Sequence, residues 1–113
     1  KVPNGGGAPT AVSRAAGMAL TKVLANENAG FNILVNGLLV GRIRSDQWER
    51  RHAADTRGLS LEEWYKDAAR QLEIDRFGTA EEFANMATFL ASDAGSYING
   101  TAINVDGGSC AVM

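Results

Sequence analysis

The chain has 113 residues, of which 45% are hydrophobic and 21% are charged, and its formal net charge is −2. These values are typical of one globular domain at most, and the missing basic excess argues against nucleic acid or an anionic membrane surface as a partner. No apolar run approaches the roughly 20 residues that span a bilayer. Cys110 and His52 are each the sole residue of their type, which excludes an internal disulfide and a structural zinc site. We therefore expect a cytoplasmic protein without a metal ion.

The first nine residues contain three consecutive glycines and two prolines, which predicts a loop. The spacing Gly5-x-Gly7-x-x-Thr10 lacks the last glycine and the preceding strand of a dinucleotide-binding fingerprint, so we interpret it as plain loop. A helix is predicted over Ala8–Asn28, where apolar residues recur every three or four positions, and Gly30 is expected just beyond its end. Its many alanines make this helix slim, so we expect it to be buried against a sheet, a partner subunit or both.

Two short segments predict strands. FNILV at residues 31–35 is an apolar run that follows a helix, which is typical of a buried parallel strand. TAINV at residues 101–105 predicts a final strand before the turn Asp106-Gly107-Gly108. Between them, residues 42–58 are polar and are expected to be irregular.

Two pairs of residues fit capping boxes, in which a hydroxyl and a glutamate three residues later satisfy the free amides of a helix start: Ser60 with Glu63, and Thr79 with Glu82. Apolar residues follow each pair at helical spacing, so a helix is predicted after each. The predicted order is helix, strand, helix, helix, strand. Strands separated in this way form a parallel pair with a right-handed crossover. Because two strands cannot close a core, we interpret the chain as the second portion of a larger open sheet.

Residues 76–108, RFGTAEEFANMATFLASDAGSYINGTAINVDGG, resemble the C-terminal signature of short-chain dehydrogenases/reductases, particularly the members similar to 3-oxoacyl-carrier-protein reductases. That signature joins an arginine-phenylalanine-glycine turn, a helix with an FLAS run, a Y-I-x-G turn and a closing strand ending in DGG. Upstream, SRAAGMALTKVLANENAGFNILVNGLLVG resembles the family's active-site helix, the next strand and the loop that closes over nicotinamide. The resemblance implies an α/β fold in which residues 1–113 form the C-terminal part of a doubly wound, Rossmann-like parallel sheet. The nucleotide-binding half of that single domain is expected to precede Lys1.

In this family the active-site helix carries a tyrosine and, four residues later, a lysine, and Thr10 and Arg14 correspond to these positions. The lysine cation lowers the pKa of the phenol from about 10, so the phenol can exchange the proton that accompanies hydride transfer. A threonine hydroxyl is a much weaker acid, and arginine stays protonated but can still bind ribose hydroxyls. Three interpretations are open: a helix start or cap at Thr10 with Arg14 as an exposed or ribose-facing cation, cofactor binding by Arg14 with altered or lost catalysis, and an active site with Thr10 as the acid.

The loop after the first predicted strand corresponds to the family's Pro-Gly-x-Ile/Val-x-Thr segment, which holds the nicotinamide carboxamide and the pyrophosphate. Val40 replaces the proline, which removes a backbone restraint but no contact. Gly41 still allows the cofactor to approach the backbone closely, Ile43 can present its backbone to the cofactor, and Ser45 retains a hydroxyl. The resemblance therefore implies that Val40, Gly41, Ile43 and Ser45 bind the cofactor together with Arg14, and the alternative is an ordinary loop.

Basic side chains are concentrated in the segment that, by the same resemblance, forms the substrate lid: Arg42, Arg44, Arg50, Arg51, His52 and Arg57. Guanidinium groups bind phosphate through paired hydrogen bonds, which would suit a phosphate-bearing acyl carrier. Because acidic residues are interleaved, we favour the alternative of a solvated charged face, and we do not expect His52 to bind a metal. Tyr97 is expected to pack, and for Tyr65 a role beside the substrate is the alternative to packing.

The resemblance implies an NAD(P)-dependent oxidoreductase, with NAD or NADP as its cofactor. Its substrate would be a small carbonyl compound or alcohol, with a 3-oxoacyl thioester on an acyl carrier as one candidate. The alternative is a non-catalytic relative that keeps the fold for cofactor sensing or subunit assembly. Family members associate through the active-site helix and the closing strand, so we expect a homo-oligomer, either a dimer or a tetramer.

Overall fold

The computed structural model describes residues 6–110, so the first part of the predicted N-terminal loop lies outside the described residues. Helix α1 (Ala8–Asn28) runs into a 3₁₀ turn (Ala29–Phe31) and is followed by strand β1 (Gly37–Val40). Next come helices α2 (Asp46–Ala53), α3 (Leu61–Ala69) and α4 (Ala80–Ala91), a second 3₁₀ turn (Asp93–Gly95) and strand β2 (Ala102–Val105). The α/β class is confirmed. The predicted order is wrong in one respect, because three helices rather than two separate the strands.

The two strands pair as predicted. β1 and β2 run parallel, with Gly37 opposite Ala102 and Val40 opposite Val105. β2 also lies within one residue of its predicted start. The carboxyl ends of both strands therefore meet at one end of the sheet, where the chain leaves in two loops.

The prediction of a strand at residues 31–35 is wrong, since β1 begins at Gly37. Phe31 instead belongs to the 3₁₀ turn that continues α1, and its side chain is 77% exposed. Asn32, rather than Gly30, takes the left-handed conformation that ends the helical run, with φ 57°. The helical run thus ends later in the sequence than the position of Gly30 predicts.

Asparagine side chains take part in the hydrogen bonds between the end of the apolar run and the segment before β2. Val35 N donates to Asn99 Oδ1 over 2.8 Å, and Asn36 Nδ2 donates to Ile98 O over 2.8 Å. These bonds use groups that a regular ladder would pair through the backbone. Regular pairing of the strands starts only at Gly37.

Helix α1 has the predicted bounds but not the predicted burial against the sheet. Only Ala25 is buried in this helix. Its carbonyl oxygen accepts a hydrogen bond of 3.2 Å from Asn99 Nδ2, in the segment before β2. Val12, in contrast, is 68% exposed, and Leu20 and Val23 are exposed as well. Two strands are too narrow to cover a helix of 21 residues. Burial of its remaining length against a partner stays a prediction.

Helix α2 corrects the expectation of an irregular segment at residues 42–58. Asp46 in its first turn pairs with Arg50 at 2.8 Å, and basic residues in its last turn complement the helix dipole. Trp48 packs against Phe77, with ring centroids 5.2 Å apart. A partner far along the chain thus stabilises a short polar helix that no local pattern predicts.

Both predicted capping boxes are present. Glu63 N donates to Ser60 Oγ over 3.3 Å, and Ser60 N donates to Glu63 Oε2 over 2.9 Å. The corresponding distances between Thr79 and Glu82 are 3.2 and 2.8 Å. Each box satisfies amides at a helix start, which fixes where α3 and α4 begin.

The buried core is an aromatic cluster that joins α2, α3 and the segment before α4. Trp64, Tyr65 and Phe77 are buried, and Trp48 packs partly buried against them. Tyr65 and Phe77 meet edge to face with centroids 4.9 Å apart, a favoured geometry for aromatic rings. Trp64 Nε1 also donates to Asp55 Oδ2 over 2.9 Å, so the ring is fixed at its polar end. Residues 48–77 are therefore held together by this aromatic cluster.

The molecule is extended. Its radius of gyration is 16.7 Å, whereas a compact chain of about this length has one near 13 Å. Both outer edges of the sheet lack a strand partner within the described residues. These features are typical of one portion of a larger open sheet. None of the helices in residues 6–110 is long and apolar enough to cross a membrane.

Candidate functional site

A groove of about 960 Å³ opens at the carboxyl ends of β1 and β2. Open parallel sheets bind ligands at this end of their strands. All the positions proposed to bind a cofactor line the groove: Arg14, Val40, Gly41, Ile43 and Ser45. Thr10 is not among the lining residues. The structure therefore brings Arg14 of α1 and the loop after β1 together, whereas Thr10, one turn before Arg14 on the same helix, lies outside the groove lining.

The loop after β1 is held by backbone hydrogen bonds on two sides. Gly41 N donates to Val105 O over 3.0 Å. Arg44 N donates to Gly78 O, and Gly78 N donates to Arg42 O, each over 2.9 Å. The loop is thus fixed before a ligand binds, which lowers the entropy cost of binding.

Gly41 has a packing role that the sequence does not show. A Cβ on Gly41 would overlap Asp106 Cα and lie 2.5 Å from Asp106 Cβ. The two segments that leave the sheet approach each other too closely for any side chain at this point. A glycine at position 41 is therefore explained by packing against Asp106 as well as by the predicted close approach of a cofactor.

Asp106 organises the segment after β2. Its Oδ1 accepts from Gly108 N over 3.0 Å, and its Oδ2 accepts from Cys110 N over 3.1 Å. Gly107 and Gly108 have φ values of 62° and 82°, in the left-handed region that favours glycine. Asp106, Ser109 and Cys110 line the groove, which sequence reasoning missed. The DGG turn after the last strand was the signal that could have identified them.

Thr10 lies in the first turn of α1 and is exposed. The N-cap is Gly7, whose carbonyl accepts from Ala11 N over 2.9 Å. The part of the first interpretation that has Thr10 capping the helix is therefore wrong. Arg14, one turn further along, is exposed and lines the groove.

Arginines divide into two groups. Five of them pair with carboxylates in the described chain: Arg44 with Glu62, Arg50 with Asp46, Arg57 with Asp55 and Asp67, Arg70 with Asp67, and Arg76 with Glu82. Within residues 6–110 the other three, Arg14, Arg42 and Arg51, make no ion pair, and all of them line the groove. Arg44 lines the groove as well, but its charge is balanced by Glu62, so Arg42 and Arg51 are the members of the predicted cationic cluster that line the groove without an ion pair in the described residues.

The two arginines of residues 42–58 that make no ion pair in the described chain have their guanidinium groups over one aromatic ring, that of Trp48. The guanidinium carbon of Arg51 lies 4.5 Å from the centroid of Trp48, and that of Arg42 lies 5.6 Å from it. Arg44 differs because it donates two hydrogen bonds of 2.7 and 2.8 Å to Glu62. These bonds raise the pKa of the Arg44 guanidinium and lower the pKa of Glu62.

The tyrosines and the histidine do not form the groove. Tyr65 is 3% exposed, and its hydroxyl has no hydrogen-bond partner in the described part of the chain. Tyr97 is fully exposed, so the expectation that it packs is wrong for this chain. His52 Nε2 lies 2.8 Å from Leu59 O, a structural contact. Among residues 6–110, no group of three His, Cys, Asp or Glu side chains is placed to hold a metal ion.

Comparison with protein families and curated sequences places these features in context. The family model described as Enoyl-(Acyl carrier protein) reductase matches residues 2–110. The 3-oxoacyl-[acyl-carrier-protein] reductase of Thermotoga maritima is 37% identical over 98 residues, which are 87% of this chain and 36% of the relative. The Escherichia coli reductase of the same name is 37% identical over 105 residues, which are 93% of this chain and 39% of the relative.

Solved structures show the same similarity. A short chain oxidoreductase of Pseudomonas aeruginosa PAO1, described as containing an atypical catalytic center, has a TM-score of 0.85 and 36% identity over 92% of this chain and 41% of its own. An NADPH-bound structure of the same description has a TM-score of 0.83. The L-sorbose reductase of Gluconobacter frateurii, solved with NADPH and L-sorbose, has a TM-score of 0.81 and 32% identity over 90% of this chain and 40% of its own. The chain spans about two fifths of the length of these relatives.

Proposed function

Because the chain belongs to the short-chain dehydrogenase/reductase family, we propose that it forms part of an oxidoreductase that uses NAD or NADP to interconvert a carbonyl compound and an alcohol. The observation that carries this proposal is the groove at the carboxyl ends of β1 and β2, which gathers Arg14, Val40, Gly41, Ile43 and Ser45. The NADPH in the P. aeruginosa and G. frateurii structures supports a nicotinamide cofactor.

The groove residues fit such a cofactor. A volume of about 960 Å³ suits a ligand of dinucleotide size. Gly41 and Ile43 lie in a loop whose backbone is already fixed, and Ser45 offers a hydroxyl beside it. Arg14 carries donors that can bind ribose hydroxyls or phosphate oxygens. When bound, the nicotinamide supplies or accepts the hydride.

We propose an altered catalytic pair at Thr10 and Arg14. Thr10 would have to supply the proton that accompanies hydride transfer, but an aliphatic hydroxyl is a poor acid, and Thr10 is exposed outside the groove lining. Arg14 stays protonated, so its role is to bind the cofactor and to stabilise negative charge rather than to relay a proton. The second candidate function is a non-catalytic relative that senses cofactor or aids assembly, and it is favoured by the position of Thr10 outside the groove lining.

We also propose that residues 1–113 are the C-terminal part of a single domain whose other strands belong to a longer protein. The two-stranded sheet with unpaired edges and the match to about two fifths of each relative support this proposal. The exposed apolar side chains of α1 support association into a homodimer or homotetramer.

The proposed substrate is a small carbonyl compound or a 3-oxoacyl group on an acyl carrier. The T. maritima and E. coli 3-oxoacyl-[acyl-carrier-protein] reductases support the second possibility. We place the protein in the cytoplasm because its single cysteine forms no internal disulfide.

A gain-of-function variant tests the altered pair. The double substitution Thr10→Tyr with Arg14→Lys in the intact protein should raise the rate of NADPH consumption with a panel of ketones by about 100-fold or more, because it restores a general acid. Arg14→Lys alone is the control and should leave the rate low. A double variant that binds NADPH but reduces ketones no faster than the parent would refute the altered-pair proposal. A parent that binds neither NADPH nor NADH would refute the oxidoreductase proposal.

A further inference from the structure

The lid segment keeps two cations unpaired in a protein of net charge −2. Acidic residues are abundant around it, and they pair with Arg44, Arg50 and Arg57. Arg42 and Arg51 instead stack on Trp48 and face the groove. Isolated cations without an ion pair are common on a solvated surface. Arg42 and Arg51 differ because both lie over the ring of Trp48, which also lines the groove.

We propose that Arg42, Arg51 and Trp48 form a recognition site for an anionic group, a carboxylate or a phosphate, that the carbonyl substrate itself carries. This inference rests on the proposed oxidoreductase function and names the chemical class of its substrate. Its residues differ from those assigned to the cofactor, Arg14, Val40, Gly41, Ile43 and Ser45, but both sets line the same groove.

Stacking on Trp48 prepares the guanidinium groups for an anion. A cation over an aromatic ring uses the face of the guanidinium plane, so its N–H groups stay available at the edge. Within residues 6–110 no side-chain hydrogen bond occupies Arg42 or Arg51, whereas both terminal nitrogens of Arg44 bind Glu62. Arg42 and Arg51 therefore present free donors from restrained positions, which suits paired hydrogen bonds to an oxyanion.

The groove contains no carboxylate that competes for these donors. Asp106 is the one acidic residue among its described lining residues. Both of its oxygens already accept backbone hydrogen bonds, from Gly108 N and Cys110 N. An incoming anion would thus meet a net positive wall formed by Arg42 and Arg51.

Neighbouring arginines on α2 provide a matched experiment. Arg51 lines the groove, whereas Arg50 is paired with Asp46 at 2.8 Å and is not a lining residue. The intact protein and its Arg51→Gln and Arg50→Gln variants are assayed with a ketone that carries a carboxylate and with the methyl ester of the same ketone. Arg51→Gln should lower kcat/KM for the carboxylate by about 10- to 100-fold and change the ester by less than about twofold. Arg50→Gln should change neither.

Equal losses on both ketones, or the same loss in Arg50→Gln, would overturn the proposal. A raised KM for NADPH in Arg51→Gln, without discrimination between the ketones, would also overturn it, because the arginine would then serve the cofactor.

A direct titration covers the case in which neither ketone is reduced and the proposed function itself fails. Inorganic phosphate, added at constant ionic strength with chloride as the reference, should change the tryptophan fluorescence saturably in the parent and in Arg50→Gln but not in Arg51→Gln. A response in all three proteins, or in none, contradicts an anion site.

Discussion

The hydroxyl of Tyr65 is buried without a hydrogen-bond partner in the described chain, and the desolvation of this group lowers the stability of the fold. Because removing an unsatisfied buried donor relieves its desolvation, Tyr65→Phe should raise the free energy of unfolding by about 1 kcal/mol. Urea denaturation of the intact protein measures this change. Tyr97→Phe makes the same substitution at an exposed site and should have no effect. A loss of stability in Tyr65→Phe would indicate a hydrogen-bond partner for the hydroxyl and would contradict this prediction.

Gly41 permits the contact between the two segments that leave the sheet, and an alanine there should be poorly tolerated. Gly41→Ala places a methyl group against the Asp106 backbone and should lower the free energy of unfolding by about 1–3 kcal/mol, as overpacking does. Gly17→Ala is the matched control, because nothing lies within 4 Å of its Cβ position in α1. That variant should gain about 1 kcal/mol from helix propensity. Equal stability of both variants in urea denaturation would contradict the packing role of Gly41.

Sequence reasoning identified the residue types at the groove but not their partners. Val40, Gly41, Ile43 and Ser45 follow from one motif in one loop, so a resemblance suffices to select them. The division of the arginines depends on the fold, because Arg44 meets Glu62 across 18 residues and Arg57 meets Asp67 across 10. No local pattern shows which cations find a carboxylate and which face the groove.

At the scale of the element, the start of α4 should make stability depend on pH. Hydrogen bonds from Arg76, and from the Thr79 backbone, lower the pKa of Glu82 to about 2. An unfolded glutamate has a pKa of about 4.3, so this interaction stabilises the fold fully above that pH and is lost as the pH falls toward 2. The difference in melting temperature between the parent and Glu82→Gln should therefore be largest above pH 5 and shrink steadily below pH 4.

Glu81 provides the control for this pH profile. Glu81→Gln removes the same charge one position earlier on α4, where it makes none of the bonds of the capping box. Its melting temperature should follow that of the parent across the range. A difference between the parent and Glu82→Gln that stays constant from pH 6 to pH 2 would contradict the assigned ionic interaction.

The elements with local signals were predicted, and those that depend on distant contacts were not. Capping boxes fix the starts of α3 and α4, and apolar periodicity gives the bounds of α1. α2 forms because Trp48 packs against Phe77, a contact between segments far apart in sequence. β1 starts later than predicted, and at the end of the apolar run the Val35 amide donates to the Asn99 side chain, a partner far along the sequence.

At the scale of the whole molecule, the extended shape, the unpaired sheet edges and the exposed apolar side chains of α1 indicate where other strands or a partner subunit would pack. The radius of gyration of 16.7 Å and the unpaired sheet edges reflect a layer with one aromatic core at the lid and little cover along α1. The sequence predicts this incompleteness from strand count alone, since two parallel strands cannot bury both faces of a sheet. It does not predict that the lid packs as a unit of its own, because that depends on the aromatic contacts.

The most direct test of cofactor binding in this groove is a titration of the intact protein with NADPH, followed by tryptophan fluorescence, since Trp48 lines the groove. The account predicts a saturable change, with a dissociation constant raised about tenfold or more in Arg14→Gln and unchanged in Lys22→Gln on the same helix. Absence of saturable binding, or equal affinity in the parent and Arg14→Gln, would contradict the claim that this groove holds the cofactor.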